Sequence, residues 1–364
     1  MKILHCADLH LDSKMESNLS AEQARQRREE MLDTFRRMLD YGQSRGVKAV
    51  LMAGDLFDKQ HIRKVVKEEV KHDIISHPGM DFYFLRGNHD VTDFLEDFDE
   101  IPKNLKLFSK EQWMSYTYPE ENIVISGREL DSSDHKDVAA DLVLDQTKVN
   151  IVMLHGQTEE YEIKDKSYSI DMSQLRGRYI DYLALGHIHS YRWERLDERG
   201  VFCYPGCLEG RGFDETGRKG FVILEIDQDG VESHEFVSLA QRQLQRAEVE
   251  VEPSDDMTNI IAKIENAVRT IAATDLVSIV LTGRKSMDLD IDLSWIERNF
   301  KAQFFFFKVE DVTRVEVDYA IFQNDRSLKG TFVRVVQSSE KEPEERKAKI
   351  IEMGIRAIME GGLE

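Results

Sequence analysis

Cysteine is scarce in this chain: three residues in 364, an odd number without framework or zinc-site spacing. That excludes a disulfide-stapled scaffold and suits reduced thiols in a cytoplasmic protein. Cys203 and Cys207 have no matching pair elsewhere and read as partly buried thiols. Long apolar runs are also lacking. None approaches the roughly 20 residues that cross a bilayer, so a membrane protein is not expected. The apolar part of the opening Met1–Asp8 is too short for a signal peptide and runs straight into a polar motif. Positive charge is short as well, with 49 Lys and Arg against 69 Asp and Glu and a net charge of −20. This excludes a generic basic nucleic-acid coat. It does not exclude a nuclease, because carboxylates that bind cations are offset locally. Any DNA path must then rest on local Arg and Lys clusters.

Apolar residues make up 41% and charged residues 32%, the balance of a soluble globular protein. The length favours two domains with a sizeable core.

Five short polar motifs stand out in the first half: Asp8 and His10 in DLH, Asp55 in GDLFD, Asn88 and His89 in GNHD, His155 in LHG, and His187 and His189 in GHIH. Each follows an apolar run, namely MKILHCA, VKAVLMAG, MDFYFLRG, VNIVMLH and IDYLALG. Such runs read as buried strands. The polar residues therefore fall at carboxyl ends of strands, where open α/β sheets place their ligand sites.

A helix is expected from about Ser20 to Arg45, with Ser20 and Gln23 as a capping box and Gly46 as its stop. Arg25, Arg27, Arg28, Arg36 and Arg37 lie off its apolar stripe. They suit a solvated face paired with Glu29, Glu30 and Asp33, or a surface that meets DNA or a second copy in a homodimer. Strands are expected at Asp81–Leu85, Asn122–Ser126, Asn150–Leu154, Tyr182–Leu185, Phe202–Pro205 and Phe221–Ile226, with a hairpin turn at Asp227–Gly230. The style changes near 240–246. A small α/β unit follows, with strands at Leu276–Leu281, Ala302–Lys308 and Arg314–Asp318. The expected division is 1–240, 241–330 and a strand/helix tail over 331–364. The tail helix starts at Pro343 and stops at Gly361-Gly362. Ile351, Ile355, Ile358 and Met359 share one face, suited to packing on its own chain or to docking on a partner.

His and carboxylate donors together suit Mn, Fe or Zn rather than Ca or Mg cages. Asp55 is the natural bridge between two cations, with Asp8, His10 and His189 on one and Asn88, His155 and His187 on the other. Two such ions suit phosphoester hydrolysis, because they neutralise phosphate oxygens and activate water. His89, free of metal, is the candidate acid for the leaving oxygen, and its neighbour Asp90 is expected to orient it.

DxH, GDxxD, GNHD, HG and GHxH in this order resemble the calcineurin-like metallophosphoesterases over roughly residues 1–240. Within them, ILHCADLHLD, GDLFD without a following Arg-Gly, Tyr204-Pro205-Gly206, Phe213-Asp214-Glu215 and Lys219-Gly220-Phe221 resemble the SbcD-like DNA repair exonuclease branch. The resemblance implies an α/β, four-layer sandwich of two mixed sheets flanked by helices, with a small capping domain. It also implies two divalent metals, Mn foremost, on the ligands named above, DNA as substrate and an SbcC-like ATPase as partner. Cys207 stands where the family usually has Ser, and Asp58 where some members have His. The competing reading is a phosphomonoesterase or Ser/Thr protein phosphatase. Protein phosphatases of this fold usually read Asp-Arg-Gly after the second motif and GNHE at the third, whereas this chain reads Asp58-Lys59-Gln60 and GNHD. Arg86, Arg128, Arg176, Arg178, Arg192, Arg211, Arg218 and Lys219 are candidates for holding phosphates or for pairing with carboxylates.

Overall fold

A computed structural model describes residues 1–15, 19–58, 62–90, 100–130, 138–158, 168–316, 319–339 and 343–359. Two compact units divide the chain, Met1–Gln243 and Leu244–Glu364.

The first unit begins with β1 (Lys2–Cys6), α1 (Ala21–Ser44), β2 (Ala49–Ala53), α2 (Lys64–Ser76), β3 (Asp81–Leu85) and β4 (Leu105–Leu107). It continues with β5 (Met114–Tyr118), β6 (Ile123–Gly127), β7 (Val149–His155), the short pair β8 (Gln157–Thr158) and β9 (Ser169–Ile170), and β10 (Tyr182–Gly186). β11 (Arg192–Arg195), β12 (Val201–Tyr204), β13 (Phe221–Asp227) and β14 (Gly230–Val237) complete it. Two six-stranded sheets result, ordered β14-β13-β1-β2-β3-β4 and β11-β12-β10-β7-β6-β5. Both are mixed: β1, β2, β3 and β4 run parallel, as do β6, β7, β10 and β12, with antiparallel neighbours at the edges.

Period-two alternation builds the layers. Ile3, Ala49, Leu51 and Ala53 point from the first sheet into the space between sheets, where they meet Ile151, Met153, Tyr182 and Ala184 of the second. Leu4, Val50, Met52, Phe82 and Phe84 point the other way and are covered by Met31, Phe35 and Met38 of α1 and by Val66, Val70 and Ile74 of α2. The outer face of the second sheet, including Val152, Leu154, Leu183 and Phe202, packs under Val138, Ala139, Leu142 and Ile170 and under Met172 of a one-turn 3-10 helix at Met172–Gln174. The fold is an α/β sandwich of two mixed sheets flanked by helical segments. β2 packs against β7 and β10 across the interface, so the carboxyl ends of the central strands meet at one rim.

α1 carries the expected capping box between Ser20 and Gln23, and Gly46 follows it at φ +76°. Its arginines are not all on a solvated face. Arg27 is buried, donating to Glu30 at 2.7 Å and to Glu209 at 2.9 Å. Arg36 pairs with Glu69 and Asp73 of α2. Glu209 also accepts from Thr34 and from the Gln241 amide, and Glu30 takes Arg242 through both of its oxygens. These bonds fasten residues 241 and 242 to the first unit, past the expected boundary at 240.

The second unit is built from β15 (Leu244–Val251), α3 (Met257–Val268), β16 (Leu276–Ser286), α4 (Leu293–Phe300), β17 (Phe306–Asp311) and β18 (Arg314–Glu316). Its sheet is parallel throughout. The strand expected at 302–308 starts only at Phe306. Residues 301–303 form a turn off α4, and buried Phe304 fills the core from that turn, stacked on Phe307. α5 (Tyr319–Phe322), α6 (Leu328–Gln337) and α7 (Glu344–Met359) follow. The expected boundary at 330/331 falls inside α6, because its Val333 belongs to the same cluster as Ile351 and Ile355 of α7. The stop expected at Gly361-Gly362 lies outside the described residues. The α7 stripe thus packs on its own chain through Ile351 and Ile355. Gly354 sits where an added Cβ would lie 2.2 Å from the Phe332 ring. Gly354→Ala gains about 1 kcal/mol of helix propensity but incurs about 1–3 kcal/mol of overpacking. The expected result is a lower melting temperature, read by thermal denaturation; a rise would mean that the ring swings aside freely.

Candidate metal centre

The five strand-end motifs converge. β1 ends into Asp8 and His10, β2 into Asp55, β3 into Asn88 and His89, β7 at His155, and β10 into His187 and His189. Backbone bonds knit the first two loops together: Asp8 N–H to the Gly54 carbonyl at 3.1 Å, His10 N–H to Asp55 at 2.9 Å and Leu11 N–H to Leu56 at 2.9 Å. The His187 N–H donates to both Asp8 carboxylate oxygens, at 2.9 and 3.0 Å. Asp8, His10, Asp55 and His187 all have positive φ, at 52°, 43°, 53° and 102°. Non-glycine residues there cost on the order of 1–3 kcal/mol each and cluster at functional sites. The interlocked loops hold the strain in place. Two motif glycines permit the close approach. A Cβ on Gly54 would lie 2.1 Å from His155 Nδ1, and one on Gly186 would lie 1.9 Å from the Ala53 carbonyl oxygen.

The cluster has a dry floor and a wet rim. Asp8, His10, Asp55 and His155 are essentially inaccessible, whereas the side chains of His89, His189, Asp58 and Arg211 keep 27%, 28%, 20% and 19% exposure. Asp8, His10 and His189 bring ligand atoms within 4.8 Å of one another, and so do Asp8, Asp55 and His155. Asn88 Oδ1 lies 3.0 Å from His155 Nε2 and 3.1 Å from His187 Nδ1.

Lone pairs decide whether cations fit. His155 Nδ1 lies 2.9 Å from the Ala53 carbonyl, which fixes the proton on that nitrogen in the neutral ring. Its Nε2 lone pair then faces two oxygens, Asn88 Oδ1 and Asp55 Oδ2 at 3.4 Å. A cation placed among them would satisfy all three. Burial pulls the His155 pKa down, but Asp55 overrides it and raises it to about 9. His189 repeats the pattern. Its Nδ1 donates to Glu215 Oε1 at 2.6 Å, so its Nε2 lone pair meets His10 Nε2 at 3.2 Å. Burial and the neighbouring His155 lower the His187 pKa to about 4, which keeps its ring neutral for ligation. These donors fit two divalent cations.

One expectation is corrected. Asp90 does not orient His89. Its carboxylate turns back into the loops and accepts the amides of Gly87, Leu56 and Phe57 at 2.9, 3.2 and 3.0 Å. Burial and the Asp55 charge push its carboxyl up to about 7. Asp58 stands beside His89 instead, 3.0 Å from Nδ1, and the His10 and His89 rings hold it well below the usual carboxylate range. Asp58 is the fuller negative charge and the closer partner. Glu215, which holds His189, was also not singled out from sequence for this role. Of the candidate phosphate-holding basic residues, Arg86 pairs with Glu129, Arg176 bonds the Leu196 carbonyl, Arg218 lies over Phe236, and Lys219 is buried on the His189 carbonyl. Arg211 reaches the rim.

The chain is 27% identical over 280 residues to the uncharacterized metallophosphoesterase YhaO of Bacillus subtilis, covering 73% of this chain and 67% of that protein. It is 27% identical over 247 residues to the DNA double-strand break repair protein Mre11 of Sulfolobus acidocaldarius, covering 63% of this chain and 61% of that one. For Mre11 of Methanopyrus kandleri the values are 25% over 290 residues, 68% and 59%. The match thus spans less than two thirds of either Mre11 protein's own length. A solved dimetal phosphatase from Danio rerio aligns at a TM-score of 0.39 and 11% identity, over 62% of this chain and 92% of that one. No described helix is long and apolar enough to cross a membrane. The family model for calcineurin-like phosphoesterases matches residues 1–191, more than half of the chain, and the protein belongs to that metallophosphoesterase family.

Proposed function

We propose that this metallophosphoesterase is a DNA nuclease of the SbcD-like kind. Asp8, His10 and His189 would hold one divalent cation and Asn88, His155 and His187 the other, with Asp55 placed to be shared by both. The observation that carries the reading is the convergence of imidazole lone pairs and carboxylate oxygens at five strand ends. Imidazole with oxygen donors favours Mn, with Fe or Zn as alternatives. When bound, the two cations neutralise phosphate oxygens and activate a water molecule. His89, at the wet rim, gives its proton to the leaving oxygen from Nε2, because Asp58 occupies Nδ1. DNA as substrate is supported by the Mre11 relatives, which are DNA double-strand break repair proteins. The SbcD-like resemblance extends the proposal to an SbcC-like ATPase. On α7, Ile351 and Ile355 are taken up by the chain's own packing, and Met353, 66% exposed, remains for such a partner.

A substrate panel with Mn tests the reading: single- and double-stranded DNA beside a chromogenic phosphodiester and monoester. Phosphodiesters, DNA above all, are expected to be cut faster, with Mn better than Mg. Cleavage of DNA should fall steeply with salt as Lys and Arg contacts to phosphates are screened. Salt-insensitive hydrolysis of phosphoserine peptides with no action on DNA would favour the phosphatase reading.

A further inference from the structure

Arg211 is a preorganised cation at the rim. Its Nε and Nη2 lie 3.2 and 2.8 Å from Glu215 Oε1, and its own backbone N–H donates to Glu215 Oε2 at 2.7 Å. Glu215 is in turn fixed by His189. One edge of the planar guanidinium is therefore clamped, and Nη1 on the other edge is left with the Asp58 carboxylate as its nearest ion-pair neighbour. Nη1 makes no hydrogen bond among the described residues; Asp58 Oδ2 at 3.8 Å is beyond bonding reach. Asp58 is already engaged, because its Oδ1 is 3.0 Å from His89 Nδ1. Nη2 also approaches His189 Nδ1 at 3.3 Å, but that nitrogen donates to Glu215 and cannot accept. Donors thus remain unspent on a guanidinium that keeps some exposure. Its neighbours are the carboxylates of Asp58 and Glu215 and the ring of His189.

We propose that the Nη1 edge of Arg211 takes an oxygen of a phosphate next to the scissile one. The site then prefers chains of linked phosphodiesters to a lone phosphoester. This deepens the nuclease reading and rests on it for the identity of the chain. The scissile phosphate must reach the floor donors, so the rim guanidinium meets its neighbour instead. Clamping lowers the ordering cost of that contact. A purely structural Arg211 would serve only to hold Glu215 against His189. Its loss would then act through the metal half-site, on every substrate alike.

The test compares Mn-loaded wild type with Arg211→Ala and Arg211→Lys. Each is titrated with thymidine 3′-monophosphate and thymidine 3′,5′-bisphosphate, after metal content is measured. Wild type is expected to bind the bisphosphate more tightly. That advantage should shrink about tenfold in Arg211→Ala, the size of one charge-assisted hydrogen bond, with partial recovery in Arg211→Lys. For a short single-stranded oligonucleotide, the slope of log affinity against log salt should fall by about 0.7. An unchanged advantage and slope, or no advantage in wild type, overturns the proposal. So does equal weakening of both nucleotides together with metal loss. The nuclease reading is judged separately by DNA cleavage in wild type. A protein that ignores DNA yet keeps the Arg211-dependent bisphosphate advantage would lose the first reading and retain this one.

Discussion

Asp55→Asn is expected to lose both metal ions together rather than one. Asp55 Oδ2 lies 3.4 Å from His155 and 3.7 Å from His10, the two imidazoles assigned to opposite half-sites. Its Oδ1 meanwhile anchors the His89 amide at 2.8 Å. Burial disfavours its charge, but His155 and His10 hold its carboxyl below the usual range. The amide keeps the shape and removes the charge. Elemental analysis of purified protein should fall from about two equivalents towards none. Activity should fall more than about 100-fold, since even groups behind the ligands cost 10–100-fold. A cation that binds only the folded state also stabilises it by mass action. Added Mn should therefore raise the melting temperature of wild type but barely move the variant. Two equivalents retained with normal turnover would remove Asp55 from the centre.

The sandwich was legible because buried parallel strands carry their own signal. MKILHCA, VKAVLMAG and VNIVMLH are mostly apolar without strict alternation, since both faces of each strand are covered. The α1 capping box was legible for an equally local reason, the three-residue spacing of Ser20 and Gln23. Phe304 is hard to place from sequence because aromatic runs look alike in a strand and in a turn that fills a core. The burial of Arg27 is not legible locally because its carboxylate Glu209 lies 182 residues away, and no local pattern reports such a partner.

The site divides in the same way. All seven expected ligand residues come together, since Asp, His or Asn directly after an apolar run, with a glycine beside Asp55, Asn88, His155 and His187, is a sequence-level feature. Their supports were harder to read. Asp90 adjoins His89 in the chain, and that adjacency makes it the local candidate to orient the ring, yet its carboxylate turns to the amides of Leu56, Phe57 and Gly87. Glu215 is 26 residues from His189 and meets it only through the fold. Groups behind the ligands are chosen by three-dimensional reach, and Asp58 carried only the hint that it ends the GDLFD motif.

That distinction sets the second large expected effect. His89→Ala should keep both metals and lose about 10²–10⁴ in turnover, the usual worth of a general acid. The loss should shrink on a nitrophenyl ester, whose leaving group needs less protonation. Asp58→Asn should share this leaving-group dependence at about tenfold size, because the amide still orients the ring but no longer balances its positive charge. Asp90→Asn should behave differently. Its carboxylate gathers three backbone amides, two of them following Asp55 directly. An amide offers one accepting oxygen in place of two and leaves a buried donor short, at about 1–3 kcal/mol. The expected signature is a lower melting temperature and reduced metal occupancy, with equal loss on good and poor leaving groups. Rates on paired substrates, taken with metal content for all three variants, decide the matter. A leaving-group-dependent loss in Asp90→Asn at full stability, with Asp58→Asn silent, would return the orienting role to Asp90. Equal losses on both substrates in His89→Ala would remove the acid from His89 altogether. His89 would then serve the loop through its backbone bond to Asp55, and the proton would have to come from solvent at the rim.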